Sequence, residues 1–316
     1  MEYIDLGRTG LRVSRIGFGC ATLGGYDYGP VDDETSMAAV RRAVDLGITF
    51  FDVADVYGFG RAETVLRRAL GPRLRDLMIA TKFGAAWTED GRTFRDISPA
   101  YLRRALEGSL RRLGLDAIPL YQIHWPDGST RWDDCMAELE ACRAEGKVQH
   151  VGASNLSPAD VTACQRSGRL ESLQLPFSLA EPDHAEAMAA ARRDWQMSTL
   201  AYNVLAHGLL SGKYTRDAVF SGTDLRTRVA LVQEPQRGRV FARLERIQRV
   251  AANSGRSCLQ VALAWTLAHP SVSVALVGTR TAAQIEESAG ATGWPWLPDY
   301  STMLDVADTS VPLSSS

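Results

Sequence analysis

Lysine is almost missing from this chain of 316 residues: only Lys82, Lys147 and Lys213 stand among its 35 basic side chains, the rest being arginine. Arginine supplies surface charge but cannot replace a compact ammonium whose pKa is open to tuning, so Lys82 is a stronger functional candidate than one lysine among many. Other absences exclude whole classes. No apolar run approaches the roughly 20 residues of a membrane helix, and the opening Met1-Glu2-Tyr3-Ile4-Asp5-Leu6-Gly7 has neither the basic nor the apolar region of a signal peptide. A formal charge of −2, without a basic block, argues against nucleic acid as a partner. The five cysteines (Cys20, Cys135, Cys142, Cys164 and Cys258) are odd in number and form no C-x-x-C, so they read as buried thiols of a reducing cytoplasm. Nor does G-x-G-x-x-G follow the first strand; Gly17-Phe18-Gly19-Cys20 lacks the third glycine of a Rossmann turn.

What is present is a regular alternation. Gly7 and Gly10 between short apolar runs suggest a hairpin over 2–17. Strand-like stretches follow at Arg15–Leu23, 49–56, Leu77–Phe83, Ile118–His124, Val148–Ser154, Glu171–Phe177, Ser198–Tyr202 and Val272–Val277. Between them lie helical stretches at Asp33–Leu46, Ala62–Leu70, Trp132–Glu145, Asp183–Trp195, 236–253, 257–268 and Thr281–Ser288. Ser98-Pro99 and Ser157-Pro158 each set an N-cap serine before an N1 proline, opening two further helices to about Leu113 and Arg166. Eight strand–helix units without an internal linker imply parallel strands closed into an α/β (β/α)8 TIM barrel. The expectation is one domain over 1–316, with the barrel at about 15–292 and a Trp- and Pro-rich tail, 293–316, over the barrel mouth.

Residues 49–57, Thr-Phe-Phe-Asp-Val-Ala-Asp-Val-Tyr, organise the rest. Asp52 interrupts an apolar run, and a buried carboxylate must be paired or neutralised. In a TIM barrel the chemistry gathers at the C-terminal strand ends. Those ends carry Asp52 and Tyr57, Lys82, His124, Ser154 and Asn155, Gln174, Tyr202, and Gly278-Thr279-Arg280. Taken singly, Asp52 reads as an ion-pair member, Tyr57 as a packing residue and His124 as a satisfied core histidine. Together on neighbouring strands they make a site. An ammonium beside a phenol lowers its pKa, an aspartate holds that ammonium charged, and a histidine donates to the oxygen that the phenol protonates. Such a group suits a carbonyl receiving a hydride, where negative charge grows on oxygen. Metal chemistry is disfavoured, because no second or third carboxylate joins the strand ends.

These residues resemble the aldo-keto reductases, and the similarity covers nearly the whole chain. It includes Leu6-Gly7-Arg8-Thr9-Gly10-Leu11-Arg12-Val13-Ser14, Phe51 to Gly58, Ala80-Thr81-Lys82-Phe83-Gly84, Tyr121 to Asp127, Gly152-Ala153-Ser154-Asn155, Gly208 to Tyr214, and Val277-Gly278-Thr279-Arg280 with Gln284. It is nearest the bacterial branch of sugar-dehydrogenase-like and general carbonyl reductases. The resemblance implies Tyr57 as general acid and base, tuned by Lys82 and Asp52, with His124 orienting the carbonyl. It also implies a nicotinamide dinucleotide across the barrel mouth: Ser154, Asn155 and Gln174 at the carboxamide, Tyr202 stacked on the ring, and the segment from Asn203 through Leu205 and Gly208 to Lys213 along the pyrophosphate. Gly278, Thr279, Arg280, Gln284, Glu287 and Ser288 would take the adenosine end. The Arg280 guanidinium suits a 2′-phosphate, which favours NADP(H) over NAD(H). Two departures stand out: Tyr202-Asn203-Val204 replaces the family's Tyr-Ser-Pro, which predicts a less rigid loop, and Glu287-Ser288 replaces Glu-Asn.

The expected activity is therefore NAD(P)H-dependent transfer of hydride to or from an aldehyde, ketone or sugar. The alternatives are a cofactor-binding regulatory subunit of the channel-β type, against which the absence of an N-terminal inactivating segment argues, and a metal-dependent barrel isomerase or lyase. The substrate pocket is expected at Trp87 and Trp125, with Trp294, Trp296 and 215–235 at its rim. Arg226, Arg228, Arg237 and Arg239 read either as loop and helix charges or as contacts for a phosphate on a sugar. Oligomeric state leaves no mark in the sequence.

Overall fold

In the computed structural model, which describes residues 1–25, 31–220, 222, 224–294, 296 and 298–304, the chain begins with the expected hairpin, β1 (Tyr3–Asp5) antiparallel to β2 (Arg12–Ser14). Then come β3 (Ile16–Gly19), α1 (Asp33–Asp45), β4 (Phe50–Asp52), α2 (Arg61–Leu70) and β5 (Met78–Phe83). A short antiparallel pair, β6 (Ala85–Trp87) and β7 (Thr93–Arg95), precedes α3 (Pro99–Leu113), β8 (Ile118–Ile123), α4 (Trp132–Ala144), β9 (Val148–Ser154) and α5 (Pro158–Ser167). The series closes with β10 (Ser172–Pro176), α6 (Ala185–Trp195), β11 (Ser198–Tyr202), α7 (Gln236–Ser254), α8 (Cys258–Ala268), β12 (Val274–Gly278), α9 (Ala282–Ala289) and α10 (Pro298–Leu304). Strands β3, β4, β5, β8, β9, β10, β11 and β12 pair in that order and close, with Val277 of β12 opposite Phe18 of β3. This is the (β/α)8 barrel. No helix among the described residues is long and apolar enough to cross a membrane.

Both serine–proline starts are real caps. Ser98 Oγ accepts from Tyr101 N, and Ser157 shares a reciprocal capping box with Asp160. Inside the barrel, Phe50, Met78, Ala80, Leu120, Leu200, Val274 and Leu276 form an apolar floor with Leu6 and Val13 of the hairpin, which closes the N-terminal end. Alternate residues of a strand share a face, so two positions further on the inward residues are Asp52 after Phe50, Lys82 after Ala80 and Gln122 after Leu120. These three and Gln174 are buried. An apolar floor under a polar ceiling is what positions the site. A larger core, with Phe18, Phe51, Ile79, Phe83 and Tyr121, fills the space between strands and helices.

Two expectations need correction, and one element was not anticipated. The apolar run 49–56 is a strand only over Phe50–Asp52. After Val53 N donates to Ala80 O the chain leaves the sheet, and Tyr57 N and Phe59 N close turns onto Ala54 O and Val56 O. Val53 and Ala54 look strand-like in sequence because they are buried all the same. The β6–β7 pair was not expected. As for the tail, 305–316 lie outside the described residues, and the described part is held on the flank: Gly293 N donates to Glu2 Oε1 of the N-terminal segment, and α10 packs on α7.

Gly152 of β9 shows how tightly the ceiling is assembled. A Cβ there would stand 2.1 Å from Ser172 Oγ and 3.1 Å from Gln122 Cγ. Gly152→Ala should therefore lower stability by about 1–3 kcal/mol through overpacking, read as a shifted urea midpoint. Adding Ser172→Ala should recover part of the loss, whereas an unchanged midpoint in the single variant would show that the two strands part without cost.

Candidate active site

Asp52 ends β4 and Lys82 stands one residue before the end of β5, next but one in the sheet register, since Asp52 lies opposite Ala80. Both point inward. Lys82 is wholly buried and Asp52 is 4% exposed; Nζ donates to Asp52 Oδ2 at 2.7 Å and to Val53 O at 3.0 Å. The other carboxylate oxygen accepts from Gln174 Nε2 at 2.8 Å and Gln122 Nε2 at 3.3 Å. A buried charge pair needs its remaining hydrogen-bonding capacity filled to hold its place. Here two glutamines and a carbonyl fill it.

Tyr57 comes from the turns after β4. Its carbonyl accepts from Ala62 N, which ties it to the start of α2. Gly58 (φ 60°) lies so close to the 3-10 turn Cys20–Gly24 that a Cβ would stand 2.3 Å from Gly24 O. Glycine there lets the loop fold back and present the phenol. The Lys82 ammonium lies 5.2 Å from the Tyr57 ring centre, and the His124 ring meets it edge-on at 5.8 Å and 86°. His124 follows β8, its amide bound to Phe83 O at 2.7 Å. Burial, and secondarily the Lys82 charge, hold its pKa well below the ordinary histidine value. The imidazole is therefore neutral. Its Nδ1 is sealed from solvent and has no partner among the described residues. A proton there would have no acceptor, so it belongs on Nε2.

A second buried polar group lies behind the loop, and sequence reasoning missed it. Glu63 of α2 accepts from Thr81 Oγ1 and from Arg112 Nε, each at 2.6 Å. Asp55 is fully buried; it takes the Tyr101 hydroxyl at 3.4 Å on one oxygen and has no partner for the other among the described residues. Burial, then the Glu63 charge, push the Asp55 pKa well above the usual carboxylate range. In sequence both acids look like ordinary surface charge, and only the fold shows them enclosed.

The residues expected to hold a dinucleotide line the same end. Asn155 (φ 59°) donates from Nδ2 to His124 O and to Ser154 Oγ, both at 3.0 Å, and Tyr202 donates to Asn155 Oδ1 at 2.9 Å. Ser154, Asn155, Tyr202 and His124 are thus one network, while the Gln174 amide turns inward to Asp52. Replacing Ser-Pro by Asn203-Val204 does not leave the loop unrestrained. Asn203 (φ 57°) donates to Glu181 Oε2 at 3.1 Å and accepts from His207 N at 2.7 Å. Leu205 and Gly208 follow at the loop's surface, and Lys213 is exposed. Arg280 N donates to Gln284 Oε1 at 2.9 Å. Thr279 is buried, with its carbonyl taken by Thr22. Ser288 is buried and its hydroxyl turns back to Gln284 O, while the Glu287 carbonyl takes Gln260. Gly278 is exposed, with only Thr22 Cγ2 near its Cβ direction. The open Gly278 backbone and Arg280 just before α9, with exposed Lys213 on the preceding loop, are residue types that suit phosphate groups.

At the rim, Phe59 packs on Trp87 at 5.9 Å, and Trp125 stacks on His124 at 6.3 Å. Trp294 and Trp296 pack instead with each other and with Tyr300 of α10. Arg226 is tied to Asp224 and Tyr214, and Arg237 to Ala218 O, so these two serve the 214–237 loop.

The profile of the aldo/keto reductase family matches residues 15–302. The chain is 33% identical over 298 residues to the aldo-keto reductase YhdN of Bacillus subtilis, covering 93% of this chain and 89% of that one. It is 31% identical over 285 residues to aldo-keto reductase yakc of Schizosaccharomyces pombe, named for NADP(+), covering 88% and 84%. With the NADH-specific methylglyoxal reductase of Escherichia coli the identity is 29% over 306 residues, covering 92% and 93%. Among solved structures, the glycerol dehydrogenase AKR11B4 of Gluconobacter oxydans superimposes with a TM-score of 0.90 at 31% identity, over 99% of this chain and 98% of that one. None of these is named as a channel subunit.

The neutral His124 has a consequence for stability. Below about pH 6.5 the unfolded chain binds a proton at this histidine that the folded chain does not, so folding stability falls as pH falls. His124→Gln should therefore show a smaller loss of Tm between pH 7 and pH 5 than the parent protein. An equal loss in both would mean that the folded imidazole is charged.

Proposed function

The chain belongs to the aldo/keto reductase family and is an NAD(P)H-dependent oxidoreductase of carbonyls and alcohols, and from that premise we propose that Tyr57 is its general acid and base, with NADP(H) its preferred cofactor. The observation that carries this is the convergence of Tyr57, Lys82, Asp52 and His124 on one buried charge pair. The nicotinamide, when bound, supplies or accepts the hydride. Everything else is the work of side chains. Lys82 favours the phenolate form of Tyr57, so the phenol gives its proton to the oxygen of a carbonyl as charge grows there, and takes it back in the oxidising direction. Neutral His124 donates from Nε2 to the same oxygen, fixing its place. Asp52 holds the Lys82 ammonium in place. Ser154, Asn155 and Gln174 are the residues for the carboxamide, with Tyr202 against the ring. Asn203, Leu205, Gly208 and Lys213 are assigned to the diphosphate. Gly278, Thr279, Arg280, Gln284, Glu287 and Ser288 are assigned to the adenosine end, where Ser288 is the weakest member because its hydroxyl is spent within α9.

The preference for NADP(H) rests on Arg280, whose guanidinium matches a 2′-phosphate bidentately; relatives carry names of both kinds, one for NADP(+) and one for NADH. The substrate is a small aldehyde, ketone, sugar or polyol, in keeping with the glycerol dehydrogenase and methylglyoxal reductase among its relatives. We place the protein in the cytoplasm, because all five cysteines are free thiols and four of them are buried.

Tyr57→Phe should cut kcat by about 10²–10⁴-fold, the usual worth of a general acid, with cofactor affinity close to that of the parent; near-normal turnover would refute the assignment. Arg280→Ala, followed by fluorescence titration, should weaken NADPH binding far more than NADH binding. Equal losses would mean that the 2′-phosphate is read elsewhere or that NADH is the cofactor.

A further inference from the structure

The catalytic end carries one guanidinium that no step of the hydride chemistry uses. Arg95 ends β7 and is exposed, with its Cζ 4.9 Å from the centre of the Trp125 ring. Trp125 in turn stacks on His124, the two planes within 26° of each other. The acids that adjoin Arg95 and Trp125 are occupied. Asp96 Oδ1 accepts from Ser98 N at 2.9 Å, and Asp127 takes the amides of Ile97, Ser129 and Thr130 together with the Thr130 hydroxyl. Asp90 pairs with Arg92. Other arginines at this end are already held by carboxylates: Arg61 by Asp33, Arg112 by Glu63, Arg226 by Asp224. Among the described residues, no carboxylate pairs with Arg95.

A guanidinium laid over an indole face keeps its N–H fork in the ring's plane of approach, where it can meet a planar oxyanion with two parallel hydrogen bonds. The stack on Trp125 limits the freedom that a free arginine would lose on binding. The run His124, Trp125, Arg95 therefore lines up a donor for the reacting oxygen at one end and a fixed cation at the other, with Phe59 and Trp87 as an apolar wall on the rim. We propose that Arg95 makes this site select carbonyl and alcohol substrates that carry an anionic group, carboxylate or phosphate, at the end remote from the reacting carbon. The proposal rests on the oxidoreductase activity assigned to the same site.

Matched pairs of substrates test it: 4-carboxybenzaldehyde against methyl 4-formylbenzoate, and glyceraldehyde 3-phosphate against glyceraldehyde. The expected result is a higher kcat/KM for the anionic member of at least one pair. In Arg95→Met that anionic-to-neutral ratio should fall tenfold or more, mainly through KM, and Arg95→Lys should keep part of it. The pair showing the larger Arg95-dependent fall identifies the anion as carboxylate or phosphate. A ratio unchanged by Arg95→Met, or a wild-type enzyme indifferent to charge in both pairs, overturns the proposal. If the wild-type protein turns over none of the four with either cofactor, the oxidoreductase assignment itself fails and takes this inference with it.

Discussion

A lysine ammonium with no solvent contact is the constraint around which this barrel is arranged. Removing an ammonium from water costs several kcal/mol even after relaxation, and leaving either partner of a buried pair alone costs about 3–5 kcal/mol. The fold offsets that cost with groups from four strands. β5 brings Lys82, β4 brings Asp52 and then the Val53 carbonyl, and β8 and β10 bring Gln122 and Gln174 to the second carboxylate oxygen. One charge thus fixes the relative height of half the strands in the barrel. It also fixes where β4 must stop, since the Val53 carbonyl is turned to the ammonium just as the chain leaves for the Tyr57 loop.

The division of the interior follows from the same demand. Below the pair, the inward positions are apolar and the N-terminal hairpin seals the end. Above it they are polar, and the loops supply Tyr57 and His124. Placing an uncharged imidazole and a phenol around a fully buried cation lets each partial charge act at low effective dielectric. The buried Asp55 and Glu63 behind the loop add a second anchor, reached by Arg112 from α3. The placement of Tyr57 and His124 thus depends on polar contacts in the interior of the barrel.

Most of this arrangement could be read in the sequence, because periodicity and punctuation carry it. Inward alternation in β4, β5 and β8 marks Asp52 and Lys82 as buried intrusions, and the serine–proline caps mark α3 and α5. Other features have no one-dimensional trace. Val53 and Ala54 are apolar because the fold buries them, not because they extend the strand, so the strand seemed longer than it is. Thr93-Phe94-Arg95 is exposed throughout, and a strand with no buried face shows no hydrophobic period. Asp55 and Glu63 differ from surface acids only in what the fold lays over them. Trp294 and Trp296 drew attention as aromatic residues suited to a pocket, but their partner is a helix made by the tail itself.

The β6–β7 ribbon pairs only with itself, Ala85 to Arg95, Ala86 to Phe94 and Trp87 to Thr93, and meets the rest of the chain through buried Ala86, Trp87 on Phe59 and Arg95 on Trp125. Its outer strand contributes nothing to the buried core. Substitutions on that outer strand, Thr93–Arg95, therefore leave the buried core untouched, since exposed substitutions rarely cost more than a few tenths of a kcal/mol. An engineer could therefore retune what the rim presents by rewriting this outer strand while the polar interior stays still.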